Sequence, residues 1–280
     1  MPELPEVETY RRFIDALAVG QTIAAVQVND AHVLATPEDQ LRAGLVGRTI
    51  SGTSRLGKNC FLELDNGQVL VLHFGMTGDV GAYRDEPDAP RFTRVALHLE
   101  DSGLRLAFID PRKFGRIRLA DSAAAHQKAK KIGPDALDIS AVELHQKLAR
   151  RKTLLKPLLL DQSITAGLGN WIVDEVLFQA KIHPERLGAT LTEKEGQALH
   201  AAVQAGAQHR HQSGGQLSLF SGFLPHSCPR VGHFRDARQR RCAHLLPAPS
   251  QGENRQILRG RPGHLHLPKV PAHACCQKLS

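Results

Sequence analysis

The chain begins, behind its initiator Met, with Pro2-Glu3-Leu4-Pro5-Glu6-Val7-Glu8-Thr9-Tyr10-Arg11-Arg12-Phe13-Ile14-Asp15-Ala16-Leu17. Val7, Tyr10, Phe13, Ile14 and Leu17 recur at helical spacing, which predicts an amphipathic helix over 6–17 with one face packed on a sheet. Ahead of it Pro2 and Pro5 are crowded together with Glu3, Glu6 and Glu8. Acidic residues at that place favour a helix N-terminus whatever else they do. A proline in second position carries another possibility. A small second residue normally allows the initiator Met to be removed, which leaves a secondary amine at the chain end. With an α-amino pKa of about 8, an appreciable minority of it is uncharged at neutral pH and can attack an aldehyde-like carbon to form an iminium, a covalent electron sink. Taken alone, Pro2 could equally be no more than the start of the chain.

Outward from this segment, β-rich runs at 23–28, 60–64, 69–74, 95–99 and 104–109 are separated by Gly, Asp and Asn turns, which predicts a largely antiparallel β domain. The texture changes after Gly133-Pro134. Residues 141–150, 154–160, 170–179 and 193–208 read as helices joined by short Gly- or Pro-marked turns, so an α-helical domain is expected second. Beyond Ser213 a Pro-, Arg- and His-rich stretch has the composition of a tail or of disorder. A chain of 280 residues is long enough for two hydrophobic cores. It holds no apolar run of membrane-spanning length and no basic-then-apolar leader, so no membrane association is expected and the cytoplasm is the expected location. The formal charge of +8 suits a polyanionic partner, although basicity by itself selects none. Cys60, Cys228, Cys242, Cys275 and Cys276 form no C-x-x-C pair, which removes the usual sign of a structural zinc site. A disulfide framework is equally unsupported.

The octet from Pro2 to Thr9 resembles the signature start of the formamidopyrimidine-DNA glycosylase and endonuclease VIII family of bacterial DNA glycosylases and AP lyases. The resemblance implies an N-terminal antiparallel β-sandwich with an N-terminal helix over 2–120, then a helix-two-turn-helix DNA-binding domain over 134–226, an α+β architecture. It also implies that Pro2 attacks the sugar anomeric carbon as Schiff-base nucleophile, that Glu3 is the acid/base on the deoxyribose ring oxygen, and that Glu6 supports the site. Lys58, in Arg55-Leu56-Gly57-Lys58-Asn59, resembles the family's essential lysine, which contacts phosphate and donates a proton for β-elimination; otherwise it is a surface strand lysine. His73-Phe74-Gly75-Met76-Thr77-Gly78 and Asp110-Pro111-Arg112-Lys113-Phe114-Gly115 resemble two family loops. An enzyme that works on a base must extrude it and plug the hole. Met76 and Phe114 are apolar wedges for that purpose, and Arg112 offers planar donors to the orphaned base, cytosine by resemblance. Burial is the ordinary fate of an isolated Met or Phe, but the flanking glycines and Pro111 point to loop tips. His73 joins this DNA-binding set. Gly167-Leu168-Gly169-Asn170 feeds a helix whose first amides, with the Asn170 side chain, would cradle a phosphate. Lys156 is a second candidate contact.

The resemblance runs from Pro2 to His226 and then stops. The family pattern calls for Arg-Gly-Trp-Gly, two C-x-x-C pairs and a hairpin bearing Val-Gly-Gly-Arg-Gly-Thr. With free choice of synonymous codons, residues 229–234 read one base downstream give Arg-Gly-Trp-Gly-Thr-Ser, and residues 259–271 give Val-Gly-Gly-Arg-Gly-Thr-Tyr-Thr-Cys-Pro-Lys-Cys-Gln. A change of reading frame near Ser227 is inferred. Residues 227–280 are therefore expected to be an aberrant, disordered tail where intact members carry a zinc finger, and no metal or other cofactor is expected for this chain, although intact members bind one structural zinc. The expected function is base-excision repair of oxidised purines, 8-oxoguanine and formamidopyrimidines, in duplex DNA, with AP lyase cleavage, by a monomer whose partner is double-stranded DNA holding such lesions or abasic sites. One alternative is a damaged-DNA binder with impaired or no catalysis, using Lys58, Arg112 and Asn170. Another is pyrimidine specificity of the endonuclease VIII kind, against which the Met76, Arg112 and Phe114 set counts.

Overall fold

Helix α1 spans Leu4–Ala18 in the computed structural model, which describes residues 1–212. It starts two residues before the periodicity predicts. The Glu6 carboxylate reaches back to accept the Glu3 backbone N–H at 3.1 Å, and Pro5 falls in the first turn, where a missing N–H costs nothing. Everything expected of residues 213–280, the tail and the end of the 134–226 region included, lies outside the described residues.

Strands β1 (Ile23–Val28), β2 (Ile50–Leu56), β3 (Asn59–Leu64), β4 (Val69–His73), β5 (Asp79–Tyr83), β6 (Thr93–Leu99), β7 (Arg105–Ile109) and β8 (Arg116–Ala120) form two antiparallel four-stranded sheets. Their orders are β1-β6-β7-β5 and β2-β3-β4-β8. The five expected runs are all present with their ends displaced by no more than a residue or two. Between the sheets lies one core, built from Leu62, Leu70, Leu72, Val80, Val95, Leu97, Leu106 and Phe108 among others. Helix α1 closes it with Val7, Phe13, Ile14 and Ala18, and α2 (Glu38–Leu45) with Leu41 and Leu45. Helix α3 (Ala123–Lys130) follows the sandwich, started by Ser122, whose hydroxyl accepts the Ala125 N–H at 3.1 Å.

The second half is helical, with α4 (Ala141–Ala149), α5 (Leu155–Leu160), α6 (Asn170–Gln179) and α7 (Glu193–Gln212) around a core that includes Leu144, Leu148, Leu159, Ile172, Val176 and Val203. Leu4 belongs to this core and not to the sandwich core three residues further on. Its full burial is worth about 2 kcal/mol by area, so the first turn of α1 is held by the helical half and the rest of that helix by the sandwich. A second tie is polar. The buried Asp135 carboxylate accepts from Arg55 Nη1 at 2.5 Å and Nη2 at 3.2 Å, from the Gly57 N–H at 2.7 Å and from the Leu137 N–H at 3.0 Å. The β2–β3 turn is thereby fixed to the start of the helical half.

Candidate active site and nucleic-acid interface

Glu3 is buried, and its carboxylate crosses to the first turn of α6. Oε2 accepts the Gly169 and Ile172 N–H groups, each at 3.1 Å, and Oε1 accepts the Trp171 N–H at 3.0 Å. A helix leaves its first N–H groups without internal partners and carries positive potential there, so an anionic side chain is held at the place it fits best. Beside it the Leu4 N–H donates to the Gly167 carbonyl at 3.2 Å. The glycines make this approach possible. Gly167 has φ +111°, where side chains are strained, and a Cβ on it would stand 2.6 Å from the Leu4 side chain, while one on Gly169 would collide with the Glu3 carboxylate. Amides expected to cradle a phosphate at this helix start are thus already taken by Glu3, which corrects that part of the sequence reading. The exposed Asn170 side chain remains available to a phosphate. Pro2 is buried next to Glu3, and Met1 before it is exposed.

Lys58 sits in the β2–β3 turn after Gly57, whose φ is +58°. Burial lowers its pKa from the ordinary lysine value, and the Glu3 charge acts in the opposite sense, so the ammonium and the carboxylate share one microenvironment. His73 ends β4 nearby. Its Nδ1 accepts the Gly75 N–H at 3.2 Å, which places the ring proton on Nε2. Burial first, then the charges of Lys58, His126 and Arg116, press its pKa down, which favours the neutral ring. Glu3, Lys58 and His73 are therefore brought together, with Pro2 and Glu6 at the same end of α1.

Two adjoining loops carry the expected wedges. Met76 and Phe114 are 44% and 48% exposed, and the Arg112 guanidinium lies over the Phe114 ring at 4.8 Å. Asp110, fully buried, joins the loops. It accepts the Thr77 hydroxyl at 2.7 Å from one and the Arg112 and Gly115 N–H groups at 3.1 and 2.7 Å from the other. Gly75 and Gly115 let the backbones touch, since a Cβ on Gly75 would lie 2.5 Å from the Phe114 carbonyl carbon and one on Gly115 2.6 Å from the Phe108 ring. Lys156, on α5, pairs with Asp174 of α6 at 2.6 Å. The individual parts played by Asp110, Arg55 and Asp135 were not expected from the sequence. For Asp110 and Asp135 a signal existed, an acid set beside proline at a domain or loop boundary. Cys60 is buried in β3, and burial pushes its thiol up to about 12. Among the described residues no group of three His, Cys, Asp or Glu side chains could hold a metal ion, so they furnish no zinc site.

A β-sandwich and a helical half that share an N-terminal carboxylate, a half-buried lysine and paired wedge loops define the helix-two-turn-helix class of DNA glycosylases. The sequence profile of the formamidopyrimidine-DNA glycosylase N-terminal domain matches residues 1–117, and that of the formamidopyrimidine-DNA glycosylase H2TH domain matches residues 116–216. Formamidopyrimidine-DNA glycosylase of Desulforamulus reducens is 40% identical over 220 residues, which cover 75% of this chain and 79% of that one. The Arabidopsis thaliana protein of the same name is 36% identical over 222 residues, and there the match covers 73% of this chain and only 56% of the relative. Among solved structures, Lactococcus lactis formamidopyrimidine-DNA glycosylase bound non-covalently to DNA containing an AP site superposes with TM-score 0.72 and 34% identity, over 76% of this chain and 83% of that one. The chain belongs to the formamidopyrimidine-DNA glycosylase family.

Proposed function

We propose that this base-excision repair glycosylase removes 8-oxoguanine and formamidopyrimidines from duplex DNA and then cuts the strand at the resulting abasic site. The carrying observation is the Glu3 carboxylate, which fastens the chain end to the α6 start and whose charge acts on Lys58. Crystal structures of the Lactococcus lactis relative with AP-site DNA and with N7-benzyl-Fapy-dG DNA support the choice of partner and lesion class. In our reading residues 2–120 carry the chemistry, 134–226 grip the duplex as part of a monomer, and 227–280 stand where intact relatives have a zinc finger.

With Met1 removed, the Pro2 nitrogen attacks C1′ of the extruded nucleotide, the base leaves with the electrons of its bond, and the proton shed by that nitrogen passes through the Glu3 carboxylate to the ring oxygen, which opens the ring to an iminium. The iminium so formed acidifies the C2′ hydrogens. One of them leaves as a proton to water while the C3′–O bond breaks, and the phosphate departs with the cut strand, protonated by Lys58, with Glu6 holding the Glu3 backbone in place. His73, as an Nε2–H donor, and Asn170, from the exposed edge of α6, contact phosphates, while Met76, Phe114 and Arg112 fill the vacated stack and meet the partner base. Lys156 is the weaker contact, because Asp174 already neutralises it. No described helix is long and apolar enough to cross a membrane; a cytoplasmic place beside the nucleoid follows from the partner.

Borohydride trapping on a duplex with one abasic site tests this reading. A covalent adduct that disappears in Pro2→Glu, whose large second residue keeps Met1, is expected, and no adduct from the chain under conditions where a version with a family-like zinc finger is trapped would reject activity for this sequence. A second reading is a binder of damaged duplex without chemistry, which a retained Met1 would favour, because the Pro2 nitrogen would then be locked in a peptide bond. Intact mass of the purified protein separates the two, since the binder keeps the methionine.

A further inference from the structure

We propose that Asp30 and Arg94 are positioning residues that hold the loop of Arg112 and Phe114 in the shape from which Arg112 selects the base opposite the lesion. One side of that loop is pinned by Asp110, whose carboxylate takes the Arg112 and Gly115 N–H groups. The carbonyls on its other side are held by Arg94 of β6. Arg94 Nε donates to the Asp110 carbonyl at 2.7 Å and Nη2 to the Pro111 carbonyl at 3.2 Å, so the two carbonyls that precede Arg112 hang on one planar guanidinium. Nη1 of the same group lies 3.4 Å from Oδ2 of Asp30, which follows the end of β1. The backbone sets these two residues against each other, since the Asn29 and Asp30 N–H groups donate to the Arg94 carbonyl at 2.8 and 3.2 Å.

Asp30 Oδ2 also meets Lys113 Nζ at 2.7 Å. Lys113 stands between Arg112 and Phe114 with φ +59°, a left-handed conformation that strains a side-chain-bearing residue and persists only where its surroundings hold it. Its carbonyl accepts Arg116 Nη1 at 2.9 Å, and its ammonium is tied to Asp30. Of the two adjacent cations, Lys113 is thus drawn back onto Asp30, while Arg112 is exposed with its guanidinium over the Phe114 ring. The Lys113 hydrogen bond first, then the His32 N–H, hold the Asp30 carboxyl below the usual carboxylate range, so its charge is present at neutral pH. A half-exposed ion pair adds little stability, so the use of this one is geometric. It leaves at the tip the forked cation, whose two parallel donors discriminate between base edges only when the backbone that carries them is fixed.

The role of Asp30 and Arg94 rests on the proposed contact of Arg112 with the partner base, but not on cleavage, and binding separates the two. Asp30→Asn, Arg94→Lys and Arg112→Ala are compared with the parent by melting temperature and by equilibrium binding of duplexes that carry a tetrahydrofuran abasic analogue opposite cytosine or opposite adenine. Cleavage of a true abasic site opposite cytosine is measured alongside. Asp30→Asn keeps an acceptor for the His32 N–H, which Asp30 Oδ1 takes at 3.1 Å, and removes the charge that faces Lys113 and Arg94. Arg94→Lys keeps the charge but loses the fork that holds two carbonyls. Arg112→Ala is expected to abolish the preference for cytosine. Asp30→Asn and Arg94→Lys are each expected to weaken binding opposite cytosine about tenfold and to leave binding opposite adenine almost unchanged, with the melting temperature of Asp30→Asn close to the parent's. Equal losses opposite both bases, a preference that survives Asp30→Asn, or a parent without any preference overturns the proposal. A parent that prefers cytosine and loses this in Asp30→Asn, yet cleaves nothing, rejects the glycosylase reading and upholds the positioning role.

Discussion

Glu3 meets two demands at the residue scale, and they conflict in the amide analogue. Both carboxylate oxygens accept backbone N–H groups, so Glu3→Gln must turn an amide NH2 toward at least one N–H donor whichever way it is flipped. A substitution that usually removes chemistry and spares stability is here expected to cost about 1–3 kcal/mol as well, read as a lower urea midpoint. An unchanged midpoint would show that the bonds to α6 carry nothing. Lys58 yields a prediction in pH. Burial lowers its pKa, so it loses its proton below the usual lysine range as pH rises. If the charged form acts, strand cleavage has an alkaline limb at a pH below that range, and Lys58→Arg, always protonated, moves this limb upward or abolishes it. A pH–rate profile that is the same in both proteins would rule out Lys58 as the titrating group. The roles proposed for Pro2, Glu3 and Lys58 could be put forward from the sequence because each lies in a short motif with a chemical rationale. Glu3's second task could not, because the acceptor of a long-range bond leaves no local trace; Gly167 and Gly169, which allow it, read in sequence only as a turn.

Among the elements, the two wedge loops depend on one carboxylate. Asp110→Ala strands the Thr77 hydroxyl and the Arg112 and Gly115 N–H groups inside a buried junction, which is expected to destabilise the protein by about 2–4 kcal/mol and to weaken binding of a duplex with an abasic analogue. Comparing Asp110→Ala with a Met76→Ala variant at equal fraction folded checks this, since Met76→Ala, at a 44% exposed site, is expected to lower affinity without lowering stability. Equal losses of stability would dissolve the distinction. Long apolar runs such as β4 and β7 were readable because they are buried through almost their whole length. Strand β5 went unnamed since Asp79, Gly81 and Ala82 give it little β character, and only its pairing with β7 makes it a strand. Helix α2 was missed for a similar reason. Its Leu41 and Leu45 are its only buried residues, too few to set a period within a domain that otherwise alternates.

For the whole molecule the decisive contact is the charge chain Glu8–Arg55–Asp135, which spans α1, β2 and the entry to the helical half. Arg55 Nε lies 3.4 Å from Glu8 and its Nη1 2.5 Å from Asp135, and the Arg55 side chain is 9% exposed. Replacing Asp135 by Ala leaves a buried guanidinium with one partner fewer and orphans the Gly57 N–H, at an expected cost of about 3–5 kcal/mol. Arg55→Met together with Asp135→Ala removes the buried charge too and is expected to cost less than Asp135→Ala alone. Acid provides an independent probe of the same chain. Burial by itself would raise the Glu8 carboxyl, but hydrogen bonds from Arg11 and Arg12, with the charges of Arg11 and Arg55, more than offset it and hold the pKa at about 2, down from 4.5. A carboxyl depressed on folding contributes stability fully above its unfolded value and loses it as pH falls through the folded one, so the contribution decays between pH 4.5 and about 2. Melting temperature followed downward through that window should fall more steeply for the parent than for Glu8→Gln, which is already less stable at neutral pH and has no proton left to take up at this position. Trp171, the only tryptophan, lies on α6 and reports unfolding of the helical half, while far-ultraviolet dichroism follows the whole described region. If the chain joins the halves as the geometry requires, both signals move together in the parent and separate once Asp135 is lost; coincident transitions in Asp135→Ala would show that Leu4 and Glu3 suffice to hold the two halves as one cooperative unit.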